Sequence, residues 1–360
     1  MLTLVYNQVL VLCRQRPAAM YSPTNPAPLK LSSRHYERRG TDGAGRCFYA
    51  TRQVRGRGRR MRAFAKIRSE GVEQQTLNLS PSMKLKVICD VRQMGQYLPL
   101  NHQYELSSYI YHRLAAADPG FAAMLHKSGY SLTEASGRKF KFFTFSNIFV
   151  PKGQGKLRGS KLKVLARQVH FDVSFLLDRA AQHFIVGTFM NNHFGIGNRD
   201  GVLDLHVTGV QSLPEPEFDS GQLVLGAISP VVVSRPVDTR DGRIGHDYLN
   251  PENDGDYEFY FIQNLLRKYD TARRHEFVEG GQVAPHEVKL TVDRGGGVRR
   301  KPRIIKLGKP GEIRIIGYQY RFTVQAPPAV LRVGYLSGWG GQNAQGFGMA
   351  KVLVDIAGDQ

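Results

Sequence analysis

From residue 83 onward the apolar and polar positions fall into a regular pattern. Lys84-Leu85-Lys86-Val87-Ile88-Cys89-Asp90-Val91 alternates, which predicts a strand with one buried face. Leu98-Pro99-Leu100-Asn101 interrupts it, and Asn101 is the expected N-cap of a helix whose Leu106, Ile110 and Leu114 recur every fourth residue. Asp118-Pro119-Gly120 ends that helix, and 121–127 makes a shorter one. Residues 141–150 and 163–175 read as strands joined by a basic turn, 176–186 as a helix and 201–210 as a strand. This order of strand, helix, strand, strand, helix, strand is that of the ferredoxin-like split βαβ unit, an antiparallel sheet with two helices on one face. Leu213-Pro214-Glu215-Pro216-Glu217 follows as a linker.

The remainder repeats that order without repeating the sequence. Residues 222–234 are rich in Val and Ile and predict a strand, and 256–269 a helix that brings Phe259, Ile262 and Leu266 together. Strands at 288–292 and 312–325, a helix at 329–336, a Gly-rich loop and a last strand at 349–356 complete it. The expected fold class is α+β: two tandem ferredoxin-like domains, 83–217 and 218–360, with antiparallel sheets.

The first 82 residues have no such pattern. Pro17, Pro23, Pro26 and Pro28 precede an Arg-Gly stretch at 55–60 with no period of 2 or 3.6. They carry 15 Lys and Arg against four Asp and Glu, which is more than half of the chain's formal charge of +20 in less than a quarter of its 360 residues. The expectation is a basic extension, disordered or foreign to the native protein, with Met83 opening the functional fold. An Arg-rich transit peptide or an Arg-Gly RNA-binding segment is an alternative use of the same composition.

Composition narrows the chemistry further. The charge favours a polyanionic partner, nucleic acid first. No apolar stretch approaches the roughly 18 residues of a membrane span. Cys13, Cys47 and Cys89 suit neither a disulfide framework nor a CxxC metal site, so a reducing, cytoplasmic setting is expected. The eleven histidines form no HExxH and no zinc-spaced pair. Glu252-Asn253-Asp254-Gly255-Asp256 lacks the rest of an EF-hand and reads as the acidic start of a helix, with Asp256 as its cap. Gly346-Phe347-Gly348 lacks the Lys and Ser/Thr of a P-loop.

Three stretches carry a resemblance. Gly334-Tyr335-Leu336-Ser337-Gly338-Trp339-Gly340-Gly341-Gln342-Asn343-Ala344-Gln345-Gly346-Phe347-Gly348-Met349 resembles the C-terminal Gly-rich loop of the repeat-associated RNA-binding superfamily of CRISPR systems. Leu98 to Leu106 with Ile110-Tyr111, then Leu125-His126, then Lys141-Phe142-Phe143-Thr144-Phe145-Ser146, is similar to the sixth CRISPR-associated protein family. Ile228-Ser229-Pro230-Val231 resembles the start of that family's second domain. The match spans 83 to about 356 and leaves the basic extension outside.

The resemblance implies a metal-independent endoribonuclease that cuts precursor CRISPR transcripts within each repeat. In such a reaction the RNA's own 2′-hydroxyl attacks the adjacent phosphate, leaving a 2′,3′-cyclic phosphate and a 5′-hydroxyl. Proton transfer suits histidine, whose pKa is ordinarily near neutral, and a lysine meets charge on the phosphorane. Carried over by position, His126 is the general acid or base, Lys141 the electrostatic stabiliser and Tyr111 the orienting or assisting group. Taken singly, Tyr111 would be helix packing, His126 a surface histidine and Lys141 a solvated strand lysine; the ordered match gives them roles. His102, inside the same motif, reads as helix-start structure.

For RNA binding the expected residues are Gly338, Gly340, Asn343, Gly346 and Gly348, whose glycines let backbone N–H groups approach phosphates. The bland alternative is a tight helix-to-strand connection, with Trp339 packing rather than stacking. Gln342-Asn343 stands where the family usually carries a charged pair. Two clusters add cations: Lys152, Lys156, Arg158, Lys161 and Lys163, and Arg294, Arg299, Arg300, Lys301, Arg303 and Lys306. The partners implied are CRISPR repeat RNA, as precursor and mature guide, and a CRISPR effector complex. Homodimerisation is left open, and no membrane, metal or cofactor is implied. The rival is a non-catalytic scaffold that holds guide RNA in an effector complex.

Removing residues 1–82 is expected to leave RNA binding intact with a shallower dependence of affinity on salt. Loss of binding in a salt titration would assign it to the Arg-Gly segment instead.

Overall fold

A computed structural model describes residues 83–353, apart from 134–137, 199–200, 239–243 and 309, together with a hairpin that pairs Thr3–Tyr6 with Val9–Leu12. Apart from that hairpin, the expectations for 1–82 lie outside the described residues, as does the last strand beyond 353.

The first half is built on β1 (Lys84–Val91), whose Leu85, Val87, Cys89 and Val91 are buried on one face as the alternation requires. It is followed by α1 (Gln103–Ala117), α2 (Pro119–Lys127), β2 (Phe143–Phe145), β3 (Gln168–Phe175), α3 (Asp178–Met190) and β4 (Gly201–Leu213). The sheet runs β2-β3-β1-β4, all antiparallel, with His193–Asn198 added beyond β4. The second half comprises β5 (Gln222–Ala227), α4 (Tyr257–Arg274), β6 (Lys289–Asp293), β7 (Arg321–Gln325), α5 (Pro328–Ser337) and β8 (Ala350–Val352). Its order, β6-β7-β5-β8, is the same arrangement. The chain is a tandem ferredoxin-like α+β protein.

Each half departs from the pattern-based expectation where it makes an excursion. Residues 163–175 do not form one strand. Lys161–Val164 pairs instead with Gly155–Arg158 and Tyr97–Pro99 in a separate three-stranded sheet, and β3 starts afresh at Gln168. The strand expected over 312–325 breaks at Tyr320. Ile313–Gln319 forms a hairpin with Arg299–Ile305, while β7 joins the main sheet. Residues 222–234 divide likewise, β5 ending at Ala227 and Ser234–Asp238 pairing with Ile244–Tyr248.

Three local assignments are corrected. His102, not Asn101, occupies the N-cap position of α1; Asn101 instead bonds the backbone of Ile304, its Oδ1 accepting from that N–H at 3.0 Å. Asp256 precedes α4 without a side-chain cap, because its carboxylate accepts from Arg235 at 3.0 Å. Phe259 is 55 % exposed, and Tyr257, Phe261 and Leu265 fill the core with Ile262 and Leu266. Trp339 packs: it is buried and stacks on Phe261, with ring centroids 6.1 Å apart.

The halves meet through buried polar side chains aimed at the backbone of α5 and the loop after it. The hydroxyls of Ser107, Thr144 and Ser174 each donate at 2.8 Å, to the carbonyls of Ala344, Phe347 and Leu336 respectively. Lys84 Nζ donates to the Ala350 carbonyl at 2.9 Å and to the Tyr335 hydroxyl at 3.1 Å. Burial lowers the Lys84 pKa to about 8, against the opposing pull of Asp172.

Within the first half, α1 and α3 approach so closely at Gly187 that a Cβ there would lie 1.8 Å from the Arg113 carbonyl oxygen. Gly→Ala in an open helix is stabilising by up to about 1 kcal/mol. Gly187→Ala is expected instead to destabilise by about 1–3 kcal/mol through overpacking, measured by urea unfolding. A neutral result would show that the two helices are not held at this distance.

Candidate active site

Helix α1 turns one stripe, Tyr104, Ser107, Ser108 and Tyr111, toward a cleft of about 960 Å³. Helix α2 and residues 138–143 complete the first-half wall, with His126 and Lys141 among the lining residues. The second half supplies Val232–Ser234, His246, a stripe on α4 (Tyr260, Asn264 and Lys268) and the loop residues Gly341 to Gln345.

The three residues expected to act together do line this one cleft. Tyr111, one position past the fully buried Ile110, is half-buried, and its ring meets that of His126 edge-on at 4.9 Å and Phe143 at 5.5 Å. Burial pushes its phenol well above the usual tyrosine range, so the hydroxyl stays protonated and able to donate. His126 is exposed in the last turn of α2. That helix is started by Pro119 and by Asp118, whose carboxylate accepts from the Phe121 N–H at 2.9 Å. Lys141 Nζ donates to the carbonyls of Leu125 and His126, the latter at 2.7 Å, and so caps the end of α2 that carries His126. Partial burial, with Lys139 nearby, lowers the Lys141 pKa to about 8. The next residue, Phe142, is buried with φ at 53°, left-handed backbone that an aromatic residue adopts only under constraint.

His102 lies apart from these. It is buried, its Nδ1–H donates to the Pro99 carbonyl at 2.7 Å, and its Nε2 accepts from the Ile148 N–H at 3.2 Å. Burial lowers its pKa to about 4, so it is a neutral, fixed imidazole that ties α1 to the chain after β2.

The Gly-rich loop is more tightly built than its sequence suggests. Gly338, Gly340, Gly346 and Gly348 all have positive φ. At Gly340 a Cβ would come within 2.4 Å of the Val232 carbonyl oxygen, and at Gly348 within 2.0 Å of that of Trp339. The N–H groups of Gly338, Trp339, Gly341, Gly346 and Gly348 all donate to protein carbonyls. Asn343 bridges the loop's two arms, its Nδ2 donating to Trp339 and Phe347 carbonyls at 3.2 and 3.0 Å. These glycines therefore serve close packing first, and the cleft side of the loop is formed by 341–345.

Sequence reasoning missed the residue beneath the loop. Lys268, 1 % exposed, donates from Nζ to the carbonyls of Gly338 and Gly340, the latter at 2.7 Å. Burial lowers its pKa to about 7. Its position, three after Leu265 and seven after Phe261, put it on the buried face of α4; that phase was the available signal.

The expected phosphate-binding cations do not line the cleft. Lys156 and Arg158 stand on the exposed strand Gly155–Arg158, and Arg299, Arg300 and Lys301 on the strand Arg299–Ile305. Lys306 alone of the named cluster cations reaches the cleft. Among the described residues no group of three His, Cys, Asp or Glu is placed to hold a metal, and no helix is long and apolar enough to cross a membrane.

Two family profiles match in order: CRISPR-associated protein Cas6, N-terminal, over residues 97–205, and CRISPR associated protein Cas6, C-terminal, over 213–352. A solved structure from a Cas6-related gene of Pyrococcus furiosus superposes with a TM-score of 0.61 at 19 % identity, covering 76 % of this chain and 99 % of that one. Among curated relatives, CRISPR-associated endoribonuclease Cas6 1 of Methanocaldococcus jannaschii is 27 % identical over 72 % of this chain and 88 % of its own. CRISPR-associated endoribonuclease Cas6 of Pyrococcus furiosus is 26 % identical over 71 % and 83 %. The tandem fold and the two profiles are those of a CRISPR-associated protein. The chain belongs to the Cas6 family.

Lys268 gives this site a measurable pH signature. The unfolded chain holds its proton up to the usual value near 10.5, whereas the folded chain releases it near 7. Between those values the unfolded state binds more protons, so this group's contribution to stability rises as pH rises. Lys84 and Lys141 act in the same direction from about 8 upward. Urea unfolding of the native protein and of Lys268→Met at pH 7 and pH 9 is expected to show a smaller rise in the variant. Equal rises would mean that the lysine is charged throughout.

Proposed function

We propose that this protein binds CRISPR repeat RNA and cuts precursor transcripts within each repeat, by attack of the RNA's 2′-hydroxyl on the adjacent phosphate. The observation that carries this reading is the meeting of Tyr111, His126 and Lys141 on one cleft wall, opposite loop 341–345.

The chemistry follows from what each group has left to offer. The exposed His126 imidazole takes the 2′-hydroxyl proton as the O2′–P bond forms, or in its protonated form gives a proton to the 5′-oxygen as the P–O5′ bond breaks, with water completing the other transfer. The Tyr111 phenol, held protonated, donates a hydrogen bond that orients the nucleophile or the phosphate. Lys141 directs two N–H bonds to α2 and keeps a third for the charge that builds on the phosphorane. The products are a 2′,3′-cyclic phosphate and a 5′-hydroxyl. In this reading residues 83–217 carry the chemistry and 218–360 the opposing loop.

The scaffold alternative is favoured by one observation, the use of two Lys141 N–H groups within the fold. Incubating the full chain with labelled repeat RNA in EDTA decides between them. Cutting at a single site is expected, slowed about a hundredfold or more by His126→Ala and abolished by one 2′-deoxy nucleotide at the cut. Tight binding without cutting would favour the scaffold. Cutting that requires a divalent metal would overturn the mechanism.

A further inference from the structure

Along α4, Tyr260, Asn264 and Lys268 follow one another at every fourth residue, so they share one face of the helix, and all three line the cleft. Lys268 directs its Nζ to the carbonyls of Gly338 and Gly340. Asn264, one turn earlier, has no such commitment: its Oδ1 is buried without a hydrogen-bond partner. In the loop that Lys268 anchors, Gln345 is in the same condition, lining the cleft with its Oε1 buried and unpartnered. Of the buried side-chain nitrogens and oxygens left without partners among the described residues, these two belong to cleft-lining residues, and both are amide oxygens.

Folded proteins leave few such atoms unpaired, because a buried acceptor without a donor is destabilising. Asn343 shows the ordinary solution, its Nδ2 bonded to the Trp339 and Phe347 carbonyls. For Gln345 only the backbone is held. Its N–H donates to the Gln342 carbonyl at 3.0 Å, and Ser107 of α1 fixes the adjacent Ala344 carbonyl at 2.8 Å. The terminal torsion of an amide is soft, so either oxygen can turn into the cleft without breaking a bond it makes. What both lack is a donor. An exocyclic amino group carries two N–H donors on one nitrogen, enough for both oxygens. In each amide an NH2 lies beside the oxygen, and that pair matches the 6-amino group and neighbouring ring nitrogen of adenine. Uracil carries a carbonyl where that amino group would be. Tyr260, half-buried and edge-on to Phe259 at 5.1 Å, offers an aromatic face one turn from Asn264, and a purine covers more of it than cytosine does.

We propose that Tyr260, Asn264 and Gln345 form a base-reading subsite on the second-half wall of the cleft, which takes an unpaired adenine of the bound RNA. The 6-amino group donates to the two amide oxygens, and the rings stack on Tyr260. The proposal rests on the assignment of RNA as substrate. Unpaired bases are what proteins read in RNA, by stacking and by hydrogen bonds to their edges. The subsite therefore supplies a sequence preference, which phosphate contacts do not. In the free protein the two oxygens carry a penalty that the bound base removes.

The test compares repeat RNA with the same RNA carrying purine riboside, adenosine without its 6-amino group, at one adenosine position at a time. Binding is measured for the native full chain and for Asn264→Leu and Gln345→Leu. The native protein is expected to respond at one unpaired adenosine, where the substitution weakens binding about tenfold. Each variant should bind the unsubstituted RNA about tenfold more weakly and respond less at that same position. The slope of log affinity against log salt should stay unchanged, because no phosphate contact is removed. Both variants should unfold at the same or higher urea concentration than the native protein, since each loses an unpaired buried acceptor. Earlier unfolding of both would show that the amides serve the fold, and would overturn the proposal. So would the absence of any adenosine at which the native protein responds and both variants respond less. A response of that kind to removing the amino group of a cytosine instead would overturn the choice of adenine. A native protein that neither binds nor cuts the unsubstituted repeat would overturn the RNA assignment itself, an outcome distinct from failure of the subsite.

Discussion

The geometry of the cleft depends on a set of hydrogen bonds that cross between the two halves and end on a single stretch of chain. Ser107, Thr144, Ser174 and Lys84 come from four different elements of the first half, and all bond to groups between Tyr335 and Ala350. Each net contribution is modest, about 0.5–1.5 kcal/mol, but a buried carbonyl left without its donor costs about 1–3 kcal/mol. The two halves are therefore held in one register. Sliding them would orphan several carbonyls at once. Lys268 anchors the same stretch from the other side, so the loop is fixed between a first-half set of hydroxyls and the Nζ of a second-half lysine.

A loop fixed in this way explains how Tyr111, His126 and Lys141 of the first half come to share a cleft with second-half residues. Tyr111 is placed by helix phase, His126 by the last turn of α2, and Lys141 by its bonds to that turn. The left-handed Phe142 is where the chain bends from the lysine into β2, and such backbone stores about 1–3 kcal/mol that surrounding packing must hold. Its ring packs against Phe140, Tyr130 and Phe277, the last from just beyond α4. The bend is thus braced by both halves.

Much of this fold was legible in the sequence because burial leaves periods behind. The alternation at 84–91 and the stripe Leu106, Ile110, Leu114 gave β1 and α1, and the order of elements gave the doubled topology. The excursions escaped notice because a strand that leaves one sheet for another keeps its alternation; nothing in the residues of 312–325 marks the change of partner at Tyr320. The phase of α4 was misjudged by taking Phe259 as core, since an exposed phenylalanine reads like a buried one. The polar bridges were invisible for a different reason. Ser107, Thr144 and Ser174 are single hydroxyls without a period, and their acceptors are backbone atoms of residues more than 160 positions away. The site residues came from ordered resemblance rather than pattern, and their common cleft became visible only in three dimensions.

The two halves carry excursions at the same point of their shared topology. In the first, the hairpin 155–164 is inserted between β2 and β3; in the second, the hairpin 299–319 is inserted between β6 and β7. Both leave the four-stranded sheets from equivalent connections, and neither contributes a rung to them. The length of chain at this one connection can therefore change in either half without disturbing a ladder. The same connection gives each half a place where surface can be added or remodelled while the sheets beneath keep their pairing.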